Sequence, residues 1–222
     1  MKLSVETLEI LKNFSLINSN IVIDKGSILK TMAEAKNVLG SAVISETFPA
    51  QVGIYDLPEF LSAHSMFEDP DMVFADDMKY VTMSEGRSKV KYYFSDPEIL
   101  TTPQKDLKMP SVDLKFTLTE ENLSTIRKAV SALKVADLSI TVENGDLVAV
   151  AKDVKNKTSN SFTIDLGTKA EGQFNLIFSV ANFKFLAGDY GVEISSKLIS
   201  KFTHTASELA YFVALEKTST FN

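Results

Sequence analysis

The chain has 222 residues, 45% hydrophobic and 23% charged, with no cysteine and a formal net charge of −6. Without cysteine there is no disulfide, no thiol nucleophile and no thiolate metal site, and the acidic balance argues against binding nucleic acid or an anionic membrane by bulk charge alone. Residues 1–110 hold 11 basic and 16 acidic side chains while residues 111–222 hold 12 and 13, so most of the acidic excess lies in the first half.

The N-terminus runs directly into an amphipathic pattern containing Glu6 and Glu9, not into the apolar run of a signal peptide. No window approaches the ~20 apolar residues that a membrane helix needs, so a soluble, intracellular protein is expected. Val5, Leu8, Leu11 and Phe14 recur every three residues and predict a first helix over 4–14, with Ser4 as its cap and Thr7 at the third position. Strands are expected at 21–23 and 27–33 around a turn at Asp24-Lys25-Gly26, then at 41–45 and 48–54. A second helix opens at Asp56, where an Asx cap precedes Leu57-Pro58 and Leu57, Phe60 and Leu61 form an i, i+3, i+4 face. Short strands follow at 72–74, 80–83 and 89–94. Asp96-Pro97, Thr102-Pro103 and Met109-Pro110 then place three prolines among polar residues, which reads as an extended connector. The division is therefore a first domain 1–95, a connector 96–111 and a second domain 112–222.

The second half repeats the order. Val112, Leu114, Phe116 and Leu118 alternate with polar residues as a half-buried strand. Thr119 opens a third helix with Leu123, Ile126, Val130 and Leu133 on one face. Strands at 138–142 and 147–150 flank Glu143-Asn144-Gly145-Asp146, a tight-hairpin signal because Asn-Gly tolerates positive φ. Strands at 162–166 and 174–180 lead to a fourth helix from Asn182, and strands at 190–195, 199–203 and 209–216 close the chain. Ile54-Tyr55-Asp56-Leu57 with Phe60-Leu61 matches Val180-Ala181-Asn182-Phe183 with Leu186-Ala187, and Ser4–Leu8 matches Thr119–Leu123. The fold class is α+β, with two similar domains that each duplicate a helix-plus-antiparallel-strands unit.

Chemistry is sparse. The two histidines, His64 and His204, have no neighbouring residues resembling a catalytic triad, and there is no HExxH, GxGxxG or P-loop pattern. Glu68, Asp69, Asp71, Asp76 and Asp77 lack the glycine and terminal glutamate of a calcium loop and read as a solvated face. No catalytic residue, metal or cofactor is expected, so the protein is not expected to be an enzyme. Lys12 falls on the first helix, Arg127, Lys128 and Lys134 on or at the end of the third, and Lys184 on the fourth; on the third helix the basic residues lie off the apolar stripe.

Four stretches, Asn13–Ser19, Ile54–Leu61, Ala181–Lys184 with Gly188-Asp189-Tyr190, and Tyr211–Glu216, resemble the sliding clamps of T-even-type bacteriophage DNA polymerases, in the same order along nearly the whole chain. The resemblance implies a two-domain subunit of a head-to-tail homotrimer, closed into a ring with twelve helices inside and sheets outside. It implies duplex DNA, held by topology without sequence preference, as cargo; the replicative polymerase and an ATP-driven clamp loader as partners; a further contact with the late-transcription machinery; and the cytoplasm of an infected bacterium as location. The inward basic residues would then be Lys12, Arg127, Lys128, Lys134 and Lys184. Partner tails would dock near the connector, with Leu100, Leu107, Met109, Ala214 and Leu215 as candidates, although Leu100, Leu107 and Met109 equally suit simple anchoring of the connector. A chain of this size has a radius of gyration of about 17 Å, too small to enclose a duplex alone. A closed ring retains DNA without strong phosphate contacts, which reconciles the task with a net acidic chain. Subunits are expected to meet by pairing an edge strand of one domain with an edge of the next. The competing reading is a non-enzymatic viral structural or assembly protein.

Overall fold

The computed structural model describes residues 1–103 and 106–221, so Gln104 and Lys105 of the expected connector lie outside the described residues. The chain divides into two compact units, Met1–Asp106 and Leu107–Asn222.

In the first unit, α1 (Val5–Ile17) starts where the Ser4 hydroxyl accepts the Thr7 N–H at 3.2 Å. Four strands follow: β1 (Ile21–Ile23), β2 (Gly26–Met32), β3 (Val38–Phe48) and β4 (Val52–Ile54). Antiparallel pairing joins β1 to β4 and β2 to β3. The expected break inside 41–48 does not occur, and β3 runs unbroken to Phe48. Pro49, which has no N–H for a ladder, follows it. Helix α2 (Leu57–His64) is capped by the Asp56 carboxylate, which accepts the Glu59 N–H at 2.9 Å. Strands β5 (Asp71–Phe74), β6 (Tyr80–Glu85) and β7 (Ser88–Tyr93) form an antiparallel sheet with β6 in the middle.

The buried face of α1 differs from the expected stripe. Thr7, Ile10, Leu11, Asn13, Phe14 and Ile17 are buried, while Val5 is 75% exposed. Strict three-residue spacing slips by roughly 60° per step on an α-helix, so Val5 and Phe14 end on opposite faces. The packing selects the i, i+3, i+4, i+7 set beginning at Thr7.

In the second unit, β8 (Leu114–Leu118) leads into α3 (Glu120–Leu133), where the Thr119 hydroxyl accepts the Asn122 N–H at 3.2 Å. Strands β9 (Asp137–Glu143) and β10 (Asp146–Lys152) form the expected hairpin, with Asn144 at φ 54° and Gly145 at φ 85°. The remaining strands are β11 (Phe162–Lys169), β12 (Phe174–Ser179), β13 (Tyr190–Ser195), β14 (Ile199–His204), β15 (Leu209–Ala214) and β16 (Thr220–Phe221). One sheet runs β11-β10-β9-β12-β16, and β15, β14, β13 and β8 are neighbours in that order in another. Leu138, Ile140, Leu176, Phe178, Tyr190, Phe202 and Tyr211 fill the core of this unit.

The expected fourth helix is absent. Among the described residues the chain has three α-helices, and at this position a single 3-10 turn, Val180–Asn182, is followed by non-helical backbone. Phe183 and Phe185 explain why. Phe183 lies 5.4 Å from Phe178 and 5.7 Å from Phe202 between ring centroids, and Phe185 lies 4.6 Å from Phe202 and 4.9 Å from Tyr211. An α-helix would turn residues 183 and 185 about 200° apart, so only a more extended chain lets both rings enter one cluster.

Candidate functional site

The two histidines serve the fold. His64 closes α2 with its side chain buried and its Nε2 without a hydrogen-bond partner among the described residues. Burial pushes its pKa below the ordinary histidine value, and Lys12 adds to that while Asp69 opposes it. His204 donates from Nε2 to the Ala187 carbonyl at 3.3 Å, while Nδ1 accepts from the Ala206 N–H at 3.2 Å and the Ser207 hydroxyl at 3.0 Å. Among the described residues no group of three or more His, Cys, Asp or Glu could hold a metal ion, and no helix is long and apolar enough to cross a membrane.

The basic residues occupy distinct settings. Lys12 is exposed on α1, next to the buried Leu11 and Asn13, and Lys128 is exposed on α3. Lys134 is the C-cap of α3, in left-handed backbone at φ 53°, ψ 41°. Lys184 is exposed but lies in the non-helical segment, not on a helix. Arg127 is exposed as a residue, yet its Nη2 donates to the Phe185 carbonyl at 2.7 Å and to the Phe183 carbonyl at 3.4 Å. The apolar stripe of α3 is only partly buried: Leu123 and Ile126 are buried, whereas Val130 and Leu133 are intermediate. An apolar cavity of about 120 Å³ lies beside them, lined also by Leu138, Val180 and Phe183.

The proposed docking residues separate into two kinds. Leu100 is 8% exposed and its Cδ1 would stand 3.0 Å from a Cβ added at Gly53, so it anchors its segment to the first unit. Leu215 is also buried, with its N–H donated to the Leu198 carbonyl at 3.0 Å. Leu107 is 41% exposed, and Met109 and Ala214 are intermediate, so these three remain reachable. A wider cleft of about 740 Å³ was not legible in the sequence. It is lined by Lys152, Lys155 and Lys157 against Asp137, Asp153 and Glu216, a balanced set of charges.

Among the strands that end their sheets are β7 and β11. Within the three-stranded sheet β7 pairs only with β6, and β11 pairs only with β10 at the end of the five-stranded sheet. On β7 the Lys91 ammonium sits 4.1 Å from the centroid of the Tyr80 ring, and Tyr93 is 65% exposed. The hairpin closes at the Glu85↔Ser88 pair across a two-residue loop, so alternation directs the N–H groups of Lys89 and Lys91 away from β6.

Two family models match, one after the other: DNA polymerase processivity factor over residues 4–99, and gp45 sliding clamp, C terminal, over residues 115–217. The chain is 29% identical to the sliding clamp of Vibrio phage KVP40 over 97% of this chain and 99% of that one. It is also 29% identical to the sliding clamp of Enterobacteria phage T4, over 99% of both chains. Among solved structures, A. fulgidus PCNA bound to the C-terminal region of FEN-1 superposes with a TM-score of 0.68 at 13% identity, over 96% of each chain. That structural match speaks for the fold. Nothing in these matches favours a virion structural protein.

Proposed function

The chain belongs to the sliding-clamp family of bacteriophage DNA polymerase processivity factors, and from that membership we propose that three copies close head to tail into a ring, which an ATP-driven loader places around duplex DNA. The observation that carries this reading is that each unit offers an end strand with an unpaired edge in its sheet, β7 in the first unit and β11 in the second, two of the several strands that end their sheets. Exposed edges invite uncontrolled pairing, and joining β7 of one copy to β11 of the next removes both in a closed cycle. With three α-helices among the described residues of each chain, the ring would carry nine such helices; the resemblance had implied twelve.

The exposed lysines Lys12, Lys128, Lys134 and Lys184 supply a sparse cationic lining toward the duplex. Sparse contact suits the task. Each phosphate neutralised deepens the salt dependence of binding and slows sliding, while topology alone retains the DNA. Residues 107–111 and the end of β15, all in the second unit, offer the docking region for polymerase and loader tails, with Leu107, Met109 and Ala214 as the reachable apolar contacts. Host cytoplasm follows as the site of action, and contact with the late-transcription machinery would use the same docking region.

The test is retention on DNA of different topology. Loaded protein should stay on a nicked circle and leave within the sliding time once that circle is linearised. Equal retention on both forms would overturn the topological reading.

A further inference from the structure

The segment after the Val180–Asn182 turn has no helical hydrogen bonds of its own, so its backbone polar groups need other partners. They find them in side chains of the second unit, from the nearby Tyr190 to the distant Arg127. The Arg127 guanidinium takes the carbonyls of Phe185 and Phe183. The Tyr190 hydroxyl donates to the Leu186 carbonyl at 2.8 Å, and the Tyr211 hydroxyl accepts the Leu186 N–H at 3.3 Å. The His204 ring takes the Ala187 carbonyl. Burial pushes both tyrosine hydroxyls well above the usual phenol range.

Lys184 stands within this clasp, between the two residues whose carbonyls Arg127 binds. The Phe183 and Phe185 rings on either side pack against each other and against Phe202. Rings drawn inward at 183 and 185 leave the side chain at 184 directed away from them, where it is exposed. Of the clasp's donors only Arg127 reaches the backbone on both sides of Lys184, and a guanidinium makes the stronger, charge-assisted bond.

We propose that Arg127 is a positioning residue for Lys184, and that it makes no phosphate contact of its own. Its guanidinium fixes the backbone at 183–185 and with it the direction in which the Lys184 ammonium projects. The proposal rests on the reading of the exposed basic side chains as the lining of the DNA passage.

A double-mutant cycle tests it, using the full chain and a short linear duplex, with binding followed by fluorescence anisotropy over a range of salt concentrations. The slope of log K against log salt changes by about 0.9 for each phosphate that is no longer neutralised. Lys184→Ala is expected to reduce the slope by about 0.9 per copy touching the duplex, and Arg127→Met, which keeps an unbranched stem beside the cavity, by the same amount. The combination should reduce it no further than either variant alone. An additive reduction, about 1.8 per copy touching the duplex in the combination, would make Arg127 an independent phosphate ligand and overturn the proposal. So would an unchanged slope in Arg127→Met with only a lowered melting temperature, which is the signature of a merely structural residue. Lys128→Ala separates this failure from that of the underlying reading. If it lowers the slope while Arg127→Met does not, only the positioning role fails; if no variant changes the slope, the lining fails and the proposal with it. Arg127→Gln, a shorter neutral donor, carries the same cycle should the Met variant lose its fold.

Discussion

Replacing Phe185 by alanine probes the reason the fourth helix does not form. The ring is 4% exposed and has four aromatic neighbours: Phe202 at 4.6 Å, Tyr211 at 4.9 Å, Phe183 at 5.1 Å and Tyr190 at 5.5 Å. Burying roughly 150–200 Å² of ring surface at about 25 cal/mol/Å² contributes about 4–5 kcal/mol. That agrees with the ~3–5 kcal/mol that buried Phe→Ala changes cost. A chain of this length loses about 2–4 °C of melting temperature per kcal/mol, so the midpoint should fall by roughly 6–20 °C. Urea unfolding followed by circular dichroism should show the loss as a lower midpoint with an unchanged slope. Lys184→Ala, one residue away and exposed, should move the midpoint by no more than about 0.5 kcal/mol. A loss below about 1.5 kcal/mol for Phe185→Ala would refute the argument that aromatic packing holds this segment out of a helix.

Lys91→Pro removes an N–H from the free side of β7 without touching its ladder to β6, so light scattering should report a shift from trimer to folded monomer; an intact trimer would locate the subunit contact elsewhere. His64→Leu bears on pH. Because the folded state holds the His64 pKa below its ordinary value of about 6.5, the unfolded chain binds the proton first on acidification. Stability is therefore full above about pH 6.5 and lost as pH falls toward the folded value, and the Leu variant should flatten the urea midpoint across that window. Lys134→Gly relieves the left-handed strain at the end of α3 and should raise stability by about 1 kcal/mol, while weakening duplex binding at low salt. A stability loss there would contradict the backbone argument.

Local signals carried far along this chain. Ser4, Asp56 and Thr119 cap their helices as their side-chain chemistry dictates, because an N-cap needs only an oxygen within reach of an N–H three residues on. Asn144-Gly145 specified its hairpin for an equally local reason, its positive φ angles. Four stretches in order along the chain, from Asn13–Ser19 to Tyr211–Glu216, brought the sliding-clamp resemblance into view, and with it the function. Contacts between residues distant in sequence decided the rest. Which stripe of α1 is buried depended on what packs against it, and the three-residue recurrence of Val5, Leu8, Leu11 and Phe14 did not contain that information. The cap-like Asn182 could not reveal that Phe183 and Phe185 would be drawn into one cluster with Phe202 and Tyr211, at the expense of a helix. Nor could an arginine on the polar side of α3 reveal that carbonyls more than fifty residues on would claim its guanidinium. A local rule sees only the energy of its own few residues, and here the burial of several aromatic rings outweighed a propensity worth well under 1 kcal/mol per residue.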